Sequence, residues 1–365
     1  MNALIVISFL FKSVTFKANI IPKLLDEMAI HFLTNNEEIQ RKVASFIYEW
    51  ENDLDFFETE TSGSTGIPKK IRLKKKYAIA SSRLTGKFLN LQKGEKAFLC
   101  LHPSTIGGKM MIIRSLVLDL DLIVGDISSN PFENISESID FVALVPMQLQ
   151  TIINGSPFVL KNITNIIVGG GVISNALENE LKKNQLTVYQ TFGMTETISH
   201  IALKKVGFQS EDDFNLLPGV EIETVDHRLK IHFPAIGVEH LLTNDLVEIT
   251  SPNRFKWMGR TDFVINSGGI KIHPEQIEKE LEALFSIPFF VTGLKDEVLG
   301  EKLVIVVEGS TNPLFEQKNY YSTLEKFKIP KEIYYLNQFE TTSSGKINRL
   351  ETLKNIHAAG FRKIL

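Results

Sequence analysis

The chain has 365 residues, with 40 Lys and Arg against 43 Asp and Glu and a formal net charge of −3. This length suggests two or three domains, or one large domain with a small one. The near balance of charge argues against a nucleic-acid binder, which usually carries a basic excess or stripe. The single cysteine, Cys100, excludes an internal disulfide framework and is typical of a reducing compartment, so we expect a cytoplasmic protein.

The first eleven residues are strongly apolar but do not follow the pattern of a signal peptide. No Lys or Arg precedes the run, and no small-residue cleavage site follows before Lys12. The run is also far shorter than the about 20 apolar residues that span a bilayer. We therefore expect an opening β-strand and no stable membrane insertion. Apolar residues at helical spacing then predict a helix over residues 20–52.

Strands and helices alternate over the following part of the chain, which predicts βα units and a largely parallel sheet. The predicted strands cover residues 97–101, 120–124, 141–145, 163–168 and 186–190. The predicted helices between them cover residues 109–118, 147–154 and 175–183. After Lys204 the pattern becomes rich in short strands, and a polar break follows near Arg260. We therefore predict a large domain over residues 1–259 and a small domain over residues 260–365.

The sharpest local signal is the loop at residues 61–69, Thr-Ser-Gly-Ser-Thr-Gly-Ile-Pro-Lys. Its hydroxyls, glycines and lysine place backbone donors, side-chain donors and a cation within a short reach, which suits a polyphosphate. A solvated hairpin turn would have a similar composition. The loop is not a Walker A motif, because Lys69 does not directly follow the second glycine and no Ser or Thr comes after it.

Four further stretches carry candidate residues, each with a plain alternative. The glycines at residues 169–171 follow a predicted strand and suit a tight turn against a flat ligand, although Ser174 breaks a dinucleotide fingerprint. Glu196 offers a hard oxygen ligand for Mg²⁺, or is simply exposed at a turn. Arg260 and Asp262 also fit a surface ion pair, which contributes about 0–1 kcal/mol. Lys346 follows a glycine near the C-terminus and also fits an exposed tail lysine.

In this order the stretches resemble the signature motifs of the adenylate-forming superfamily, which includes acyl-CoA synthetases, luciferases and adenylation domains of peptide synthetases. The resemblance extends over residues 60–349. Its motifs are the phosphate loop at residues 61–69, the aromatic-Gly-x-Thr-Glu motif at 192–196, the Asp-Leu element at 244–246, the Gly-Arg-x-Asp hinge at 259–262 and the terminal Gly-Lys motif at 344–349. The resemblance implies an α/β fold. A large domain with a mostly parallel sheet, flanking helices and a β-rich subdomain would precede a small, mobile α+β C-terminal domain.

The resemblance also implies ATP, Mg²⁺ and coenzyme A as ligands and a role for each motif. The phosphates would be bound by Thr61, Ser62, Gly63, Ser64, Thr65, Gly66 and Lys69, and the adenine by Gly169, Gly170, Gly171, Phe192, Gly193 and Met194. Thr195 and Glu196 would act beside Mg²⁺, with Glu196 as its ligand. Asp245 would bind the ribose, Arg260 the ribose and α-phosphate, and Gly268 and Gly269 the pantetheine arm. Asp262 would be the hinge and Lys346 the catalytic lysine.

Three features depart from the family pattern. About sixty residues precede the phosphate loop, fewer than is usual, so we expect a reduced N-terminal subdomain. Thr105 stands where many relatives have a histidine beside the acyl pocket. Asn244 replaces the usual glycine, a change that we expect to be tolerated.

The compact form resembles the short 2-succinylbenzoate–CoA ligases of menaquinone synthesis. That substrate keeps a second carboxylate while the first one reacts, and a buried carboxylate needs a cation or several donors. Lys109, Arg114 and His200 are the candidates. Alternatively, Lys109 and Arg114 are solvated helix residues and His200 is a packing histidine.

Other functions stay open at this point. The chain could ligate another aryl or fatty acid, load a carrier protein, or bind nucleotide without catalysis. We expect a monomer or homodimer that binds a small carboxylic acid, ATP and coenzyme A, and no nucleic acid.

Overall fold

The computed structural model describes residues 29–60, 70–133, 135–282, 284–285, 287–341, 347–356 and 361–364. The strand predicted for the first eleven residues, the loop at residues 61–69 and Lys346 lie outside the described residues. Within the described ranges, the strands form a 12-stranded sheet, a six-stranded sheet and a two-stranded hairpin, here called the large sheet, the small sheet and the hairpin. No helix in this part of the chain is long and apolar enough to cross a membrane.

The first half of the chain forms the parallel part of the large sheet and its helices. The elements are β1 (Ile30–Phe32), α1 (Glu37–Glu51), β2 (Phe56–Glu60), β3 (Lys70–Lys74), α2 (Lys75–Leu89), β4 (Lys96–Leu99), α3 (Ile106–Leu118), β5 (Asp121–Val124), β6 (Phe141–Leu144), α4 (Pro146–Gly155), β7 (Asn165–Val168), α5 (Asn175–Lys183) and β8 (Thr187–Gly193). Strands β1, β5, β4, β6, β7 and β8 lie side by side in this order, all parallel, while β2 and β3 form the hairpin.

Helices cover both faces of this parallel region, which explains why its strands are almost continuously apolar. Alternate residues of a strand belong to different cores, as β4 shows: Leu99 packs with α1 to α3, and Phe98 packs with α4 and α5. The alternation of strands and helices predicted from the sequence is confirmed here, and α5 has the predicted bounds.

The helix predicted over residues 20–52 is wrong for its middle part. Residues Ile30–Phe32 form β1, which pairs with β5 so that Ile30 lies opposite Leu122. Helix α1 begins later, because the Asn36 side chain accepts hydrogen bonds from the backbone N–H groups of Glu38 and Ile39. Such a cap satisfies donors that have no partner within the helix, and it sets the start of α1.

The antiparallel part of the large sheet continues from β8 and is the β-rich segment predicted after Lys204. Its strands are β9 (His200–Gly207), β10 (Phe214–Leu216), β11 (Glu221–Val225), β12 (Arg228–Phe233), β13 (Val238–Ser251) and β14 (Arg254–Arg260). They follow β8 in the order β9, β10, β14, β13, β12, β11, and every neighbouring pair is antiparallel.

The small sheet and its helices form the C-terminal part of the described chain. The elements are β15 (Ile265–Ser267), β16 (Ile270–Ile272), α6 (Pro274–Leu281), β17 (Phe289–Asp296), β18 (Gly300–Glu308), β19 (Glu332–Leu336), α7 (Arg349–Lys354) and β20 (Phe361–Lys363). Strand β14 ends at Arg260 and β15 begins at Ile265, so the predicted boundary at residue 260 lies at the end of the last strand of the large sheet. The mixed α/β fold with a large and a small sheet agrees with the fold class predicted from the sequence.

Candidate active site

A cavity of about 2870 Å³ lies at the carboxyl ends of β4, β6, β7 and β8 and extends to the small-sheet side. Strand β5 lies on one side of β4 and β6 on the other, so the chain connections diverge between β4 and β6. In open α/β sheets, ligands bind at such a switch point, just beyond the carboxyl ends of the strands. The motifs far apart in sequence meet here for that reason.

The turn after β7 brings bare backbone to the cavity wall. Gly169, Gly170 and Gly171 all line the cavity, and Gly170 has φ +80°, a conformation that favours glycine. A side chain at Gly169 would place its Cβ atom 2.7 Å from the Thr191 hydroxyl on β8, closer than real Cβ contacts come. The turn therefore presents backbone without side chains to the cavity.

Phe192, near the end of β8, is half-buried and contributes its ring to the same wall. Its ring centroid lies 5.1 Å from that of Phe255 and 5.7 Å from that of Phe214, which fixes the ring plane. The next residue, Gly193, approaches the following loop so closely that a Cβ atom would lie 2.3 Å from the Ser199 carbonyl oxygen. Only glycine fits there without a backbone shift.

The residues after Gly193 form a short turn that presents Glu196 to the cavity. The Thr197 hydroxyl accepts a hydrogen bond from the Met194 N–H over 3.0 Å and closes the turn. Met194, Thr195 and Glu196 all line the cavity, and Thr195 is buried while Glu196 is exposed. The Glu196 carboxylate has no hydrogen bond or ion pair with the rest of the described chain. It is therefore available to a cation or another ligand.

Asp245 and Arg260 lie opposite each other on β13 and β14. Asp245 is buried and accepts a hydrogen bond from Trp257 Nε1 over 2.9 Å. Its second oxygen lies 3.7 Å from an Arg260 nitrogen, while Arg260 donates to Asp262 over 2.6 Å. The Asn244 side chain also donates to Asp262, over 2.9 Å. The predicted ribose, phosphate and hinge residues thus form one connected group at the cavity.

Arg114 is a buried cation that lines the cavity without a carboxylate partner in the described ranges. It projects from α3, is 2% exposed, and donates from Nη2 to the Ser199 hydroxyl over 2.6 Å. Its Nε atom is buried and has no hydrogen-bond partner. Burial lowers the pKa of Arg114 to about 10, so the guanidinium stays charged at neutral pH. A buried charge without its counter-ion is costly, which makes Arg114 the strongest candidate for an anion site.

His200 lies beside Arg114 and also lines the cavity. Its Nε2 atom is 3.0 Å from the Thr85 hydroxyl of α2, and its Nδ1 atom is 3.4 Å from the Ser199 hydroxyl. Burial, and then the positive charge of Arg114, hold the pKa of His200 well below its usual value. The imidazole is therefore neutral and does not add a second charge to the site.

The other two predicted acid-binding residues differ in position. Lys109 does not line the cavity: its ammonium donates to the Glu58 carbonyl over 2.6 Å and lies 3.8 Å from the Glu49 carboxylate. Thr105 does line the cavity, but its hydroxyl donates to the His102 carbonyl and accepts from the Gly108 N–H. Thr105 thus caps the start of α3.

The small-sheet side contributes α6 and the start of α7 to the cavity, including Glu275 and Arg349. A carboxylate oxygen of Glu275 is buried without a partner, and a Cβ atom at Gly259 would lie 2.7 Å from it. Gly268 and Gly269, in the turn between β15 and β16, have positive φ angles and do not line the cavity. The structure therefore does not bring them together with the nucleotide residues.

Four residues that support the site were not predicted from the sequence: Thr85, Ser199, Trp257 and Glu275. Ser199 could have been found, since it lies three residues after Glu196 and directly before His200. The other three contact residues of elements that are distant in sequence, and no sequence motif identifies them.

Comparison with known proteins identifies the family. A family model described as AMP-binding enzyme matches residues 60–233. A solved acyl-CoA synthetase (AMP-forming)/AMP-acid ligase II-like protein from Dyadobacter fermentans is 35% identical, covers 88% of this chain and 95% of its own, and has a TM-score of 0.59. The chain belongs to the AMP-binding enzyme family. The superfamily resemblance inferred from the five motifs is thereby confirmed.

Two further relatives of this AMP-binding enzyme have narrower names. The 2-succinylbenzoate–CoA ligase of Salmonella typhimurium is 25% identical over 287 residues, which make up 74% of this chain and 62% of that protein. The chain thus spans less than two thirds of that relative's length. The solved O-succinylbenzoate coenzyme A synthetase from Bacillus subtilis, in complex with ATP and magnesium, is 20% identical over 81% of this chain and 69% of its own, with a TM-score of 0.70. That likeness supports the two-domain fold.

Proposed function

We propose that this AMP-binding enzyme is an ATP-dependent acid–CoA ligase that activates its acid as an acyl-adenylate. The proposed acid is 2-succinylbenzoate, as for the Salmonella typhimurium relative. The observation that carries the choice of acid is Arg114, a cation buried in the cavity wall with no carboxylate partner among the described residues.

Arg114 favours an acid with two carboxylates. The aliphatic carboxylate must be free to react, so a second one is needed to pair with the guanidinium. A buried ion without its partner costs several kcal/mol, whereas a charge-assisted pair offsets that cost. A fatty acid or benzoate has one carboxylate and would leave Arg114 unpaired. Lys109 is the weaker candidate, because Glu49 and the Glu58 carbonyl already hold its ammonium.

The nucleotide would bind along another part of the wall of the same cavity. The Gly169–Gly171 turn and Phe192 provide a flat apolar surface for adenine. Asp245 has acceptor capacity for the ribose hydroxyls, because Trp257 uses only one lone pair of its carboxylate. Arg260 lies beside Asp245 and provides a cation near the α-phosphate. The resemblance adds the loop at residues 61–69 for the β- and γ-phosphates.

Glu196 fits the role of a Mg²⁺ ligand. Its exposed carboxylate faces the cavity and is the kind of hard oxygen that Mg²⁺ prefers. Within the described ranges no group of three or more His, Cys, Asp or Glu side chains forms a complete metal site. This agrees with an ion that takes its other ligands from phosphates and water. When bound, Mg²⁺ would neutralise charge on the phosphates.

The reaction proposed for the chain has two steps. A carboxylate oxygen of the acid attacks the α-phosphorus, the bond to the β-phosphate oxygen breaks, and pyrophosphate leaves. The ammonium of Lys346 offsets the negative charge that develops at the α-phosphate. The thiolate of coenzyme A then attacks the acyl carbon, the bond to the phosphate oxygen breaks, and AMP leaves.

The second step would require residues 260–365 to move as a lid. Asp262 is the proposed hinge, and the Gly268–Gly269 turn, now away from the cavity, would then reach the pantetheine arm. Residues without side chains allow that arm to pass closely. We further infer a cytoplasmic enzyme that acts as a monomer or homodimer.

The test is pyrophosphate release by purified protein with ATP and Mg²⁺, comparing 2-succinylbenzoate, benzoate and a medium-chain fatty acid, each with and without coenzyme A. Release that depends on succinylbenzoate, together with a thioester product, supports the proposal. Release with another acid alone would support an acid–CoA ligase but exclude 2-succinylbenzoate as its acid. Product formation that needs no coenzyme A favours a carrier-loading enzyme, and no release with any acid favours a non-catalytic nucleotide binder.

Lys346→Ala separates the two steps. We expect it to abolish adenylate formation while coenzyme A still attacks a supplied adenylate, because the lysine acts at the α-phosphate. Equal loss of both half-reactions would contradict the role given to Lys346.

A further inference from the structure

A line of hydrogen bonds connects Arg114 to helix α2. Arg114 Nη2 donates to Ser199 Oγ over 2.6 Å, and Ser199 Oγ lies 3.4 Å from His200 Nδ1. On the other side of the ring, His200 Nε2 lies 3.0 Å from Thr85 Oγ1. The Thr85 hydroxyl donates to the Ser81 carbonyl over 3.1 Å. All of these atoms except the Ser81 carbonyl belong to side chains.

The direction of each bond follows from the protons available. A threonine hydroxyl has one proton, and Thr85 gives it to the Ser81 carbonyl. His200 Nε2 must therefore carry a proton and donate it to Thr85. A neutral imidazole has one N–H, so Nδ1 is an acceptor. Arg114 can only donate, so the Ser199 oxygen accepts from Arg114 and its own proton points to His200 Nδ1.

The line of hydrogen bonds can form in this direction only while the His200 imidazole is neutral. A protonated ring would have N–H groups on both sides, and its Nδ1–H would face the Ser199 proton. Burial of the ring lowers the pKa of His200, and the charge of Arg114 lowers it further because it opposes a second cation beside it.

The backbone before this pair is held in a strained conformation. Ile198 has φ +65° and ψ −45°, and the Ser199 N–H donates to the Thr197 carbonyl over 2.6 Å. This is a γ-turn at a β-branched residue, an arrangement that costs energy and persists only where the surroundings enforce it. The turn sets the direction in which Ser199 and His200 point into the site, independently of their side-chain bonds.

We propose that His200 is a positioning residue for the second carboxylate of the acid, an inference that rests on the proposed ligase function. His200 takes the Ser199 proton, which leaves the Ser199 oxygen to hold Arg114 Nη2. The guanidinium is thus held at the cavity wall by Ser199, and its positive charge has no carboxylate partner among the described residues. His200 acts through Ser199 and Arg114 and does not need to touch the acid itself.

Two matched pairs of variants test the line. Gln in place of His200 keeps one donor and one acceptor, whereas Phe keeps neither. At Thr85, Ser keeps the hydroxyl, whereas Val keeps the shape without it. We expect His200→Phe and Thr85→Val to raise KM for 2-succinylbenzoate about tenfold relative to KM for ATP, equivalent to about 1.4 kcal/mol. His200→Gln and Thr85→Ser should restore most of that ratio, and kcat should change less than KM.

Two kinetic results would overturn the proposal. One is an equal rise in KM for 2-succinylbenzoate in both variants of a pair, which would mean that the hydrogen bonds do not contribute to binding of the acid. The other is a loss of kcat with every acid, which would indicate a structural role. Thr85→Val decides the question if His200→Phe fails to fold, because valine has nearly the shape of threonine.

A nitrogen NMR spectrum of the histidine side chains tests the direction without any substrate. The His200 signals, assigned by their loss in His200→Gln, should show a protonated Nε2 and an unprotonated Nδ1 at about pH 6 and at about pH 8. The opposite tautomer, or an imidazolium, would refute the proposed direction. If no acid is adenylated while the spectrum is as expected, the ligase proposal fails and the role in acid binding fails with it, but the direction of the line stands.

Discussion

Asp245 and Arg260 are paired directly across β13 and β14, with 3.7 Å between a carboxylate oxygen and a guanidinium nitrogen. Trp257 Nε1 donates to the other carboxylate oxygen over 2.9 Å. This geometry holds the Asp245 carboxylate at the cavity wall with its orientation set from two sides. Its remaining lone pairs are the acceptors to which, as we propose, the ribose hydroxyls donate.

Asp245→Asn should therefore weaken nucleotide binding more than it weakens the fold. A hydrogen bond to a charged group contributes about 1.5–3 kcal/mol, so KM for ATP should rise about tenfold or more. The measurement is pyrophosphate release at varied ATP, with Asp226→Asn as the control because Asp226 lies in the turn between β11 and β12, away from the cavity. An unchanged KM for ATP would exclude Asp245 as the ribose acceptor.

Arg114→Met should separate binding of the acid from stability of the fold. Methionine removes a buried charge and a buried Nε–H that has no partner, so the free energy of unfolding should stay the same or increase. KM for 2-succinylbenzoate should rise about a hundredfold, since a carboxylate would lose a charge-assisted pair of about 3 kcal/mol. Urea unfolding and the pyrophosphate assay measure the two effects.

Lys109→Met is the matched comparison, because both residues are cations on α3. Lys109 is held by Glu49 and the Glu58 carbonyl outside the cavity, so its loss should change stability more than KM for the acid. If Lys109→Met instead gave the larger rise in KM for the acid, Lys109 rather than Arg114 would be the residue that binds the second carboxylate.

The arrangement of βα units could be predicted because it depends on local patterns. Short apolar runs, helical spacing and turn residues lie within each element, and the Ser174 cap that starts α5 is itself a local signal. The convergence of the motifs was also predictable, since the carboxyl ends of parallel strands meet at one edge. The motif residues Gly169, Phe192 and Glu196, at or after the ends of β7 and β8, line the cavity for this reason, whereas Asp245 reaches it from the antiparallel strand β13.

The partners of those residues could not be predicted, because they depend on the packing of distant elements. Thr85 and His200 are 115 positions apart, and their contact requires α2 to lie against the start of β9. The difference between Lys109 and Arg114, by contrast, could be predicted from the sequence. They are five positions apart on α3, which turns their side chains by about 140° relative to each other. Helical geometry therefore lets only one of the two face the cavity.

Gly107 and Gly108 should respond differently to alanine, although both lie in the first turn of α3. A Cβ atom at Gly108 would lie 2.2 Å from the His102 carbonyl oxygen, whereas one at Gly107 would lie 3.2 Å from the end of the Leu101 side chain. Gly108→Ala should lower the free energy of unfolding by about 1–3 kcal/mol, because backbone must move. Gly107→Ala should be neutral or raise it by up to about 1 kcal/mol, because alanine favours helix. Equal urea midpoints for the two variants would contradict this.

Glu275 should make the free energy of unfolding decrease as the pH rises towards neutrality. The pKa of Glu275 is raised to about 7, mainly by burial and in part by Glu278, although two backbone N–H groups and Arg349 act against the shift. In the unfolded chain the pKa of this carboxyl is near its ordinary value of 4.5. Between these two values the folded protein keeps the proton and the unfolded chain releases it. The stabilisation is therefore complete below about pH 4.5 and is lost as the pH rises through about 7.

Glu275→Gln should remove this dependence, because glutamine has the shape of the protonated acid and does not titrate. The stability of the variant relative to the unaltered protein should rise by about 1–3 kcal/mol from pH 5 to pH 8, since each unit between two pKa values corresponds to about 1.4 kcal/mol. Urea unfolding at both pH values measures it, and Glu297→Gln, at an exposed position, is the control. A difference between Glu275→Gln and the unaltered protein that is the same at both pH values would mean that the carboxyl is ionised in the folded state. In that case the unpartnered oxygen beside Gly259 would have to be a charged group at the junction of the two sheets, and α6 would have to open to hydrate it.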